Sequence, residues 1–230
     1  MRPNAYAPPG LRLLMLFLGI DHGPREVRAV VFSLESNEVL AEASQAANVV
    51  PGGIVADPLT WVRDIDVVVQ ECLESLGATR SRLAGMAVAG PEAGLVLLDE
   101  ENAILSPEHS LEAEQREKSA RGLRRRFGGS AGVAEVLGRP LSASAAAVDL
   151  FWLSQSDPKL LQNVVQVQRA PDFVRGWLTG ESGTEASKAS ESGLFDVRER
   201  KWSRVMAGEI DERLPDLLPP VESVESLSSG

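Results

Sequence analysis

The sequence predicts an α/β or α+β domain built on a mixed sheet. Three observations predict it. Residues 13–20 (LLMLFLGI) form a continuous apolar run that stops at Asp21-His22-Gly23, the pattern of a central strand buried on both faces. Val27–Ser33 is rich in β-branched residues and follows after a short connection. Trp61, Ile65, Val68, Val69, Cys72 and Leu76 then recur at helical spacing, ahead of a further apolar segment, Leu83–Ala89.

Taken in order, Ser36-Asn37 is a turn signal and Val39–Ala43 a third strand, so the chain opens as a three-stranded meander. Pro51-Gly52-Gly53 breaks the chain. Asp57 as N-cap and Pro58 at the first helical position start the helix, and Gly77 ends it. Cys72 lies on the apolar stripe and reads as core. Leu83–Ala89 reads as a buried strand closed by Gly90-Pro91, and Gly94–Leu98 as another, ended by the acidic turn 99–102. Residues 112–127 form a charged helix. Its Arg124-Arg125-Arg126 run reads as a solvated face, with a phosphate or partner patch as the alternative.

Helices at 143–153 and 157–162 meet at the cap signal Ser156-Asp157-Pro158. Val164–Val167 follows as a strand, and Pro171–Leu178 as a helix stopped by Thr179-Gly180. Residues 181–193 read as a surface loop, Asp211–Leu218 as a last helix, and Val221–Gly230 as a polar tail.

Composition narrows the function classes. The chain has 230 residues, with 23 Lys+Arg against 33 Asp+Glu and a formal charge of −10. Such a balance argues against non-specific nucleic-acid binding, which needs a basic face. One cysteine and two histidines, His22 and His109, exclude a disulfide framework or a Cys-rich zinc site. Arg12 sits inside the apolar stretch Leu11–Ile20 and Asp21 follows it at once; the stretch is too short to span a bilayer and lacks a cleavage site. No membrane association and a cytoplasmic location are expected. Residues 1–12 are expected to form a flexible tail, and Met15 is an alternative start.

Several segments, in order, resemble the N-terminal domain of the FGGY carbohydrate kinases, closest to the xylulokinase-like branch. They are LGIDHGPREVRAVVF (18–32), ADPLTW (56–61), GMAVAGPEAGLVLLD (85–99), FWLSQSDPKLL (151–161), APDFVRGWLTG (170–180), SGLFDVRERKWS (192–203) and LPPVES (218–223). The resemblance implies a ribonuclease-H-like, actin-like ATPase domain over 13–230, with a mixed five-stranded sheet flanked by helices. It implies ATP and Mg²⁺ as cofactors and a sugar or polyol as the phosphoryl acceptor, xylulose-like in that branch. Such transfer rests on positioning and on neutralising phosphate charge.

Carried over residue by residue, the resemblance makes Asp21 the catalytic and metal-organising carboxylate. A turn cap is its bland alternative. Gly23 and Arg28 become the phosphate contacts, with a plain exposed strand position as the alternative for Arg28. Glu92, Glu114 and Arg116 become the sugar contacts.

Departures cluster at the same places. Pro24-Arg25-Glu26 stands where the family has small hydroxyl residues, and Pro24 has no N–H for a phosphate oxygen. Gly90-Pro91-Glu92-Ala93-Gly94 replaces Gly-Gln-Met-His-Gly, and Glu112-Ala113-Glu114-Gln115-Arg116 replaces Trp-Asn-Asp-Gln-Arg. Ala170-Pro171-Asp172-Phe173 loses the family's lysine, while Asp172 also reads as the N-terminal charge of its helix. The family's general-base Asp and its C-terminal, ATP-side domain are expected beyond this sequence, and the expected partner chain is a C-terminal kinase half or, through the apolar face left uncovered, a second copy as homodimer partner. Two readings follow: the sugar-side half of a carbohydrate kinase, inactive alone, or a non-catalytic sugar-binding or regulatory domain.

Overall fold

The computed structural model describes residues 15–23, 25–48, 54, 57–90, 94–106 and 111–222. The chain divides into two compact units. One holds residues 1–48 and 63–89, the other 49–62 and 90–230.

The first unit is a sheet and a helix. β1 (Leu16–His22), β2 (Glu26–Ser33) and β3 (Glu38–Ala46) form the expected meander, turned at Asn37 with φ 56°. After α1 (Leu59–Leu76) and a short 3₁₀ turn (77–82), β4 (Leu83–Ala89) returns parallel to β1, giving the order β3-β2-β1-β4. The parallel return needs a crossover, and α1 provides it.

One face of the sheet is the core of this unit: Leu16, Leu18, Ile20, Val27, Ala29 and Val31 are buried together with Ile65, Val68 and Cys72 of α1. The Cys72 thiol donates to the Ala29 carbonyl at 3.8 Å.

Three expectations change here. β1 is not buried on both faces; it alternates, leaving Phe17 and Asp21 exposed. β4 is not a buried strand. It is the sheet's edge among the described residues, with Ala84–Ala87 exposed. Apolar runs therefore report strand identity here but not two-sided cover. The sheet also has four strands among the described residues, where five were expected, because β5 (Leu95–Leu98) joins a different sheet.

The second unit is mostly helical. β5 lies between β6 (Ile104–Leu105) and β7 (Gln166–Arg169), all antiparallel, and is buried throughout. α2 (Ala113–Arg126), α3 (Ser130–Leu137), α4 (Ala146–Ser156) and α5 (Pro158–Asn163) come before β7 in sequence, and α6 (Ala170–Thr179) follows it. Asp157 caps α5 as expected, accepting from the Leu160 N–H at 3.0 Å. Leu97, Leu123, Val133, Leu137, Leu150 and Leu153 are fully out of water at the centre of one apolar core. Trp61 packs edge-on against Phe173, their ring centroids 6.5 Å apart.

Residues 181–193 are not a loop. They hold β8 (Thr184–Glu185) and α7 (Ala186–Glu191), because Thr184 and Ala189 are buried and anchor the segment. β9 (Phe195–Asp196) and β10 (Lys201–Trp202) form a hairpin. α8 (Arg204–Ile210) is a helix the sequence reading missed, and the last helix, α9, is shorter than expected (Leu214–Leu217). β11 (Val221–Glu222) pairs in parallel with β8. The tail 1–12, the Pro51-Gly52-Gly53 break, Pro24, the Pro91–Ala93 stretch, His109 and most of the polar tail lie outside the described residues. No helix of the described residues is long and apolar enough to cross a membrane.

Candidate functional site

Asp21 and Arg28 form a cross-strand pair on the uncovered face of the first sheet: Asp21 is in register with Arg28 of β2 and with Ala89 of β4. Period-two alternation produces this. The residues that bury Ile20 and Ala29 on one face must turn Asp21 and Arg28 to the other. The two line an open cleft of about 280 Å³ with Gly19, Val30 and Ala87. Gly19 and Ala87 form a low floor. A Cβ on Gly19 would lie 3.2 Å from Val30 Cγ2, so the bare glycine helps keep the cleft open.

The electrostatics are less simple than a phosphate clamp. Arg28 donates to Glu26 Oε1 at 2.9 and 3.2 Å, and its Nη1 lies 3.2 Å from Glu42 Oε1. The hydrogen bond and charge of Arg28 hold the exposed Glu26 carboxyl below its ordinary range. Glu26, then Glu42, and more weakly Asp21, raise the Arg28 guanidinium in turn. Three acids thus surround one arginine, which suits a cation better than a bare polyanion.

Gly23 is placed beside Asp21, but its N–H already donates to the Glu26 carbonyl at 2.9 Å, closing the hairpin. Among the described residues, no group of three or more His, Cys, Asp or Glu could hold a metal ion. A magnesium ion at Asp21 would take one protein carboxylate and complete its shell with phosphate oxygens and water. This fits the ion's usual habit. His22, the next residue, faces the opposite way. It is buried, with Nε2 3.5 Å from Asp64 Oδ2, and that oxygen accepts from the Asn48 N–H.

The remaining sugar candidates lie in the second unit. Glu114 stands exposed in the first turn of α2, and the Gln115 side chain accepts from the Glu112 N–H in a capping box. Arg116 turns inward, its Nη1 2.6 Å from Asp149 Oδ1 on α4. Residues two apart on a helix do not share a face, so Glu114 and Arg116 do not converge. Burial pushes the Asp149 carboxyl up to about 6 against the opposing pull of Arg116. Glu92 lies outside the described residues.

Asp172, on α6, is also buried. Burial pushes it up to about 6, opposed by the Thr184 hydroxyl and by Arg169 and Arg175. The sequence reading passed over Asp149, although an acid between Val148 and Leu150 on an apolar helix was a signal that it needs a buried partner.

Comparison with known proteins adds the family. Residues 16–228 match the N-terminal domain of the FGGY family of carbohydrate kinases. The chain is 27% identical over 222 residues to a xylulose kinase from Haemophilus influenzae, covering 91% of this chain and 45% of that protein. Its fold matches a xyloylose kinase from Brucella ovis with a TM-score of 0.78 at 21% identity, over 90% of this chain and 43% of that one. It also matches a xylulose kinase from Rhodospirillum rubrum with a TM-score of 0.76 at 21% identity, over 94% and 46%. The chain therefore spans less than half the length of these relatives. The actin-like α/β fold is as expected, apart from the strand count. The chain belongs to the FGGY family of carbohydrate kinases, through that family's N-terminal domain.

Proposed function

We propose that this domain is the sugar-side half of a carbohydrate kinase that moves the γ-phosphoryl group of ATP onto a hydroxyl of a xylulose-like ketose or a related polyol. The observation that carries the reading is Asp21 opposite Arg28 at the mouth of an open, small-residue cleft, within a chain that matches the family's domain almost end to end. Asp21 would hold magnesium, which would supply charge neutralisation for the phosphates. Arg28 would contact phosphate oxygen once released from Glu26 or Glu42. Glu92 and Glu114 remain the proposed sugar contacts, while Arg116, also proposed from the resemblance, is turned away from Glu114 to its pair with Asp149. The acceptor hydroxyl needs a proton acceptor, and a C-terminal half of the kind its relatives carry would supply it, together with the rest of the nucleotide pocket.

Calorimetry of the chain with MgATP and with a panel of ketoses, pentoses and polyols tests the reading. Binding of both MgATP and a ketose is expected, with the nucleotide lost in Asp21→Ala. Two observations favour a second reading, a sugar-binding or regulatory domain without turnover. The Gly23 N–H is already spent inside the hairpin, and Arg28 is already held by two carboxylates. Sugar binding with no MgATP binding would favour that second reading instead.

A further inference from the structure

The Arg124-Arg125-Arg126 run has no part in the site described above, yet it borders a groove in the second unit. α2 presents Gln115, Lys118, Gly122 and Arg125 at helical spacing, and α4 presents Phe151, Trp152 and Gln155 across from them. Together they enclose about 560 Å³, within the range that takes a cofactor-sized ligand.

The floor is aromatic. Phe151 is almost fully buried while Trp152 is half-buried. A Cβ on Gly122 would lie 3.1 Å from Phe151 Cε1, so glycine is what lets the ring pack close against α2, leaving only an edge of it at the groove. The rim is cationic: Lys118, Arg125 and Arg126 line it on a chain of formal charge −10. Arg126 is tied to Glu209 at 3.1 Å, which leaves Lys118 and Arg125 as the cations to meet a ligand.

An aromatic floor with a cationic rim selects a ligand with a planar ring and an anionic end. The ring stacks, and the charge is met by an ammonium and a guanidinium. A neutral sugar would leave the cations unused, and inorganic phosphate would leave the floor unused. We propose that the α2–α4 groove is a second small-molecule site that takes a nucleoside monophosphate, the base stacking on Trp152 beside the exposed edge of Phe151 and the phosphate lying between Lys118 and Arg125. None of its residues lines the Asp21 cleft, so the two sites can be tested apart.

The test is calorimetry of the full chain, without magnesium, against adenosine monophosphate, adenosine and inorganic phosphate. The monophosphate is expected to bind at least about tenfold more tightly than either fragment. Gly122→Leu, which fills the groove, is expected to weaken it by at least about tenfold, and Arg125→Ala, a surface change that spares the fold, by about the same. Asp21→Ala is expected to leave it unchanged. Absence of binding up to about 10 mM overturns the proposal. So does binding that Asp21→Ala removes while Arg125→Ala leaves it intact, because the ligand then occupies the other site.

Discussion

Arg116 Nη1 meets Asp149 Oδ1 at 2.6 Å, with 18% and 6% of the two side chains exposed, and the pair ties α2 to α4. A charge pair this far from water returns only part of what its desolvation costs. Burial accordingly raises the Asp149 carboxyl, and Arg116 only partly restores it. An arginine expected to read sugar hydroxyls therefore also has a structural partner. Removing Arg116 would leave an acid buried without one.

That imbalance predicts a pH dependence. The folded-state value of about 6 lies above the ordinary 3.8, so the folded chain binds the proton more readily than the unfolded one. The contribution of Asp149 to stability therefore rises as pH falls from about 6 towards 4, by about 3 kcal/mol in all. Denaturant unfolding of Asp149→Asn against the parent chain, from pH 7 to 4, should show the variant lacking this rise. Asp172→Asn should behave likewise, since its carboxyl is raised to a similar value. Parallel curves for variant and parent would contradict the assignment.

Asp21 is exposed and lines the cleft. Asp21→Ala should change unfolding free energy by less than about 0.5 kcal/mol. It should weaken MgATP at least about tenfold, measured by calorimetry. A large loss of stability would instead show that the residue serves as a turn cap.

Cys72 is 1% exposed, and burial pushes its thiol up. Its reaction with a water-soluble disulfide reagent should run at least about a hundredfold slower in native buffer than in denaturant, because exposure requires opening of the sheet–helix unit. Labelling at the denatured rate would place the thiol outside the core.

Gly193 and Gly180 separate two costs of replacing glycine. Both have positive φ, 72° and 77°. A Cβ on Gly193 would also lie 2.5 Å from Leu141 Cδ1 and 3.0 Å from Ala145 Cβ, whereas nothing lies within 4 Å of one on Gly180. Gly180→Ala should cost about 1–2 kcal/mol from backbone conformation alone. Gly193→Ala should cost about 2–5 kcal/mol, with overpacking added. Denaturant midpoints of the two variants give the comparison, and equal costs would refute the clash at Gly193.

The sequence by itself determined the meander, the crossover helix, the Asp157 cap, the buried thiol and the family, because each rests on local periodicity, local capping chemistry or ordered motifs. It also brought Asp21 and Arg28 to notice as separate residues. Only the tertiary structure decided that they share one face of a ladder, that the Gly23 N–H and the Arg28 guanidinium are already engaged, that β4 is an edge among the described residues, and that Arg116 is held by Asp149. Those outcomes depend on which distant segment packs against each residue. An apolar run looks the same whether one of its faces is covered or both. An arginine looks the same whether its partner is a ligand or an acid 33 positions further along the chain.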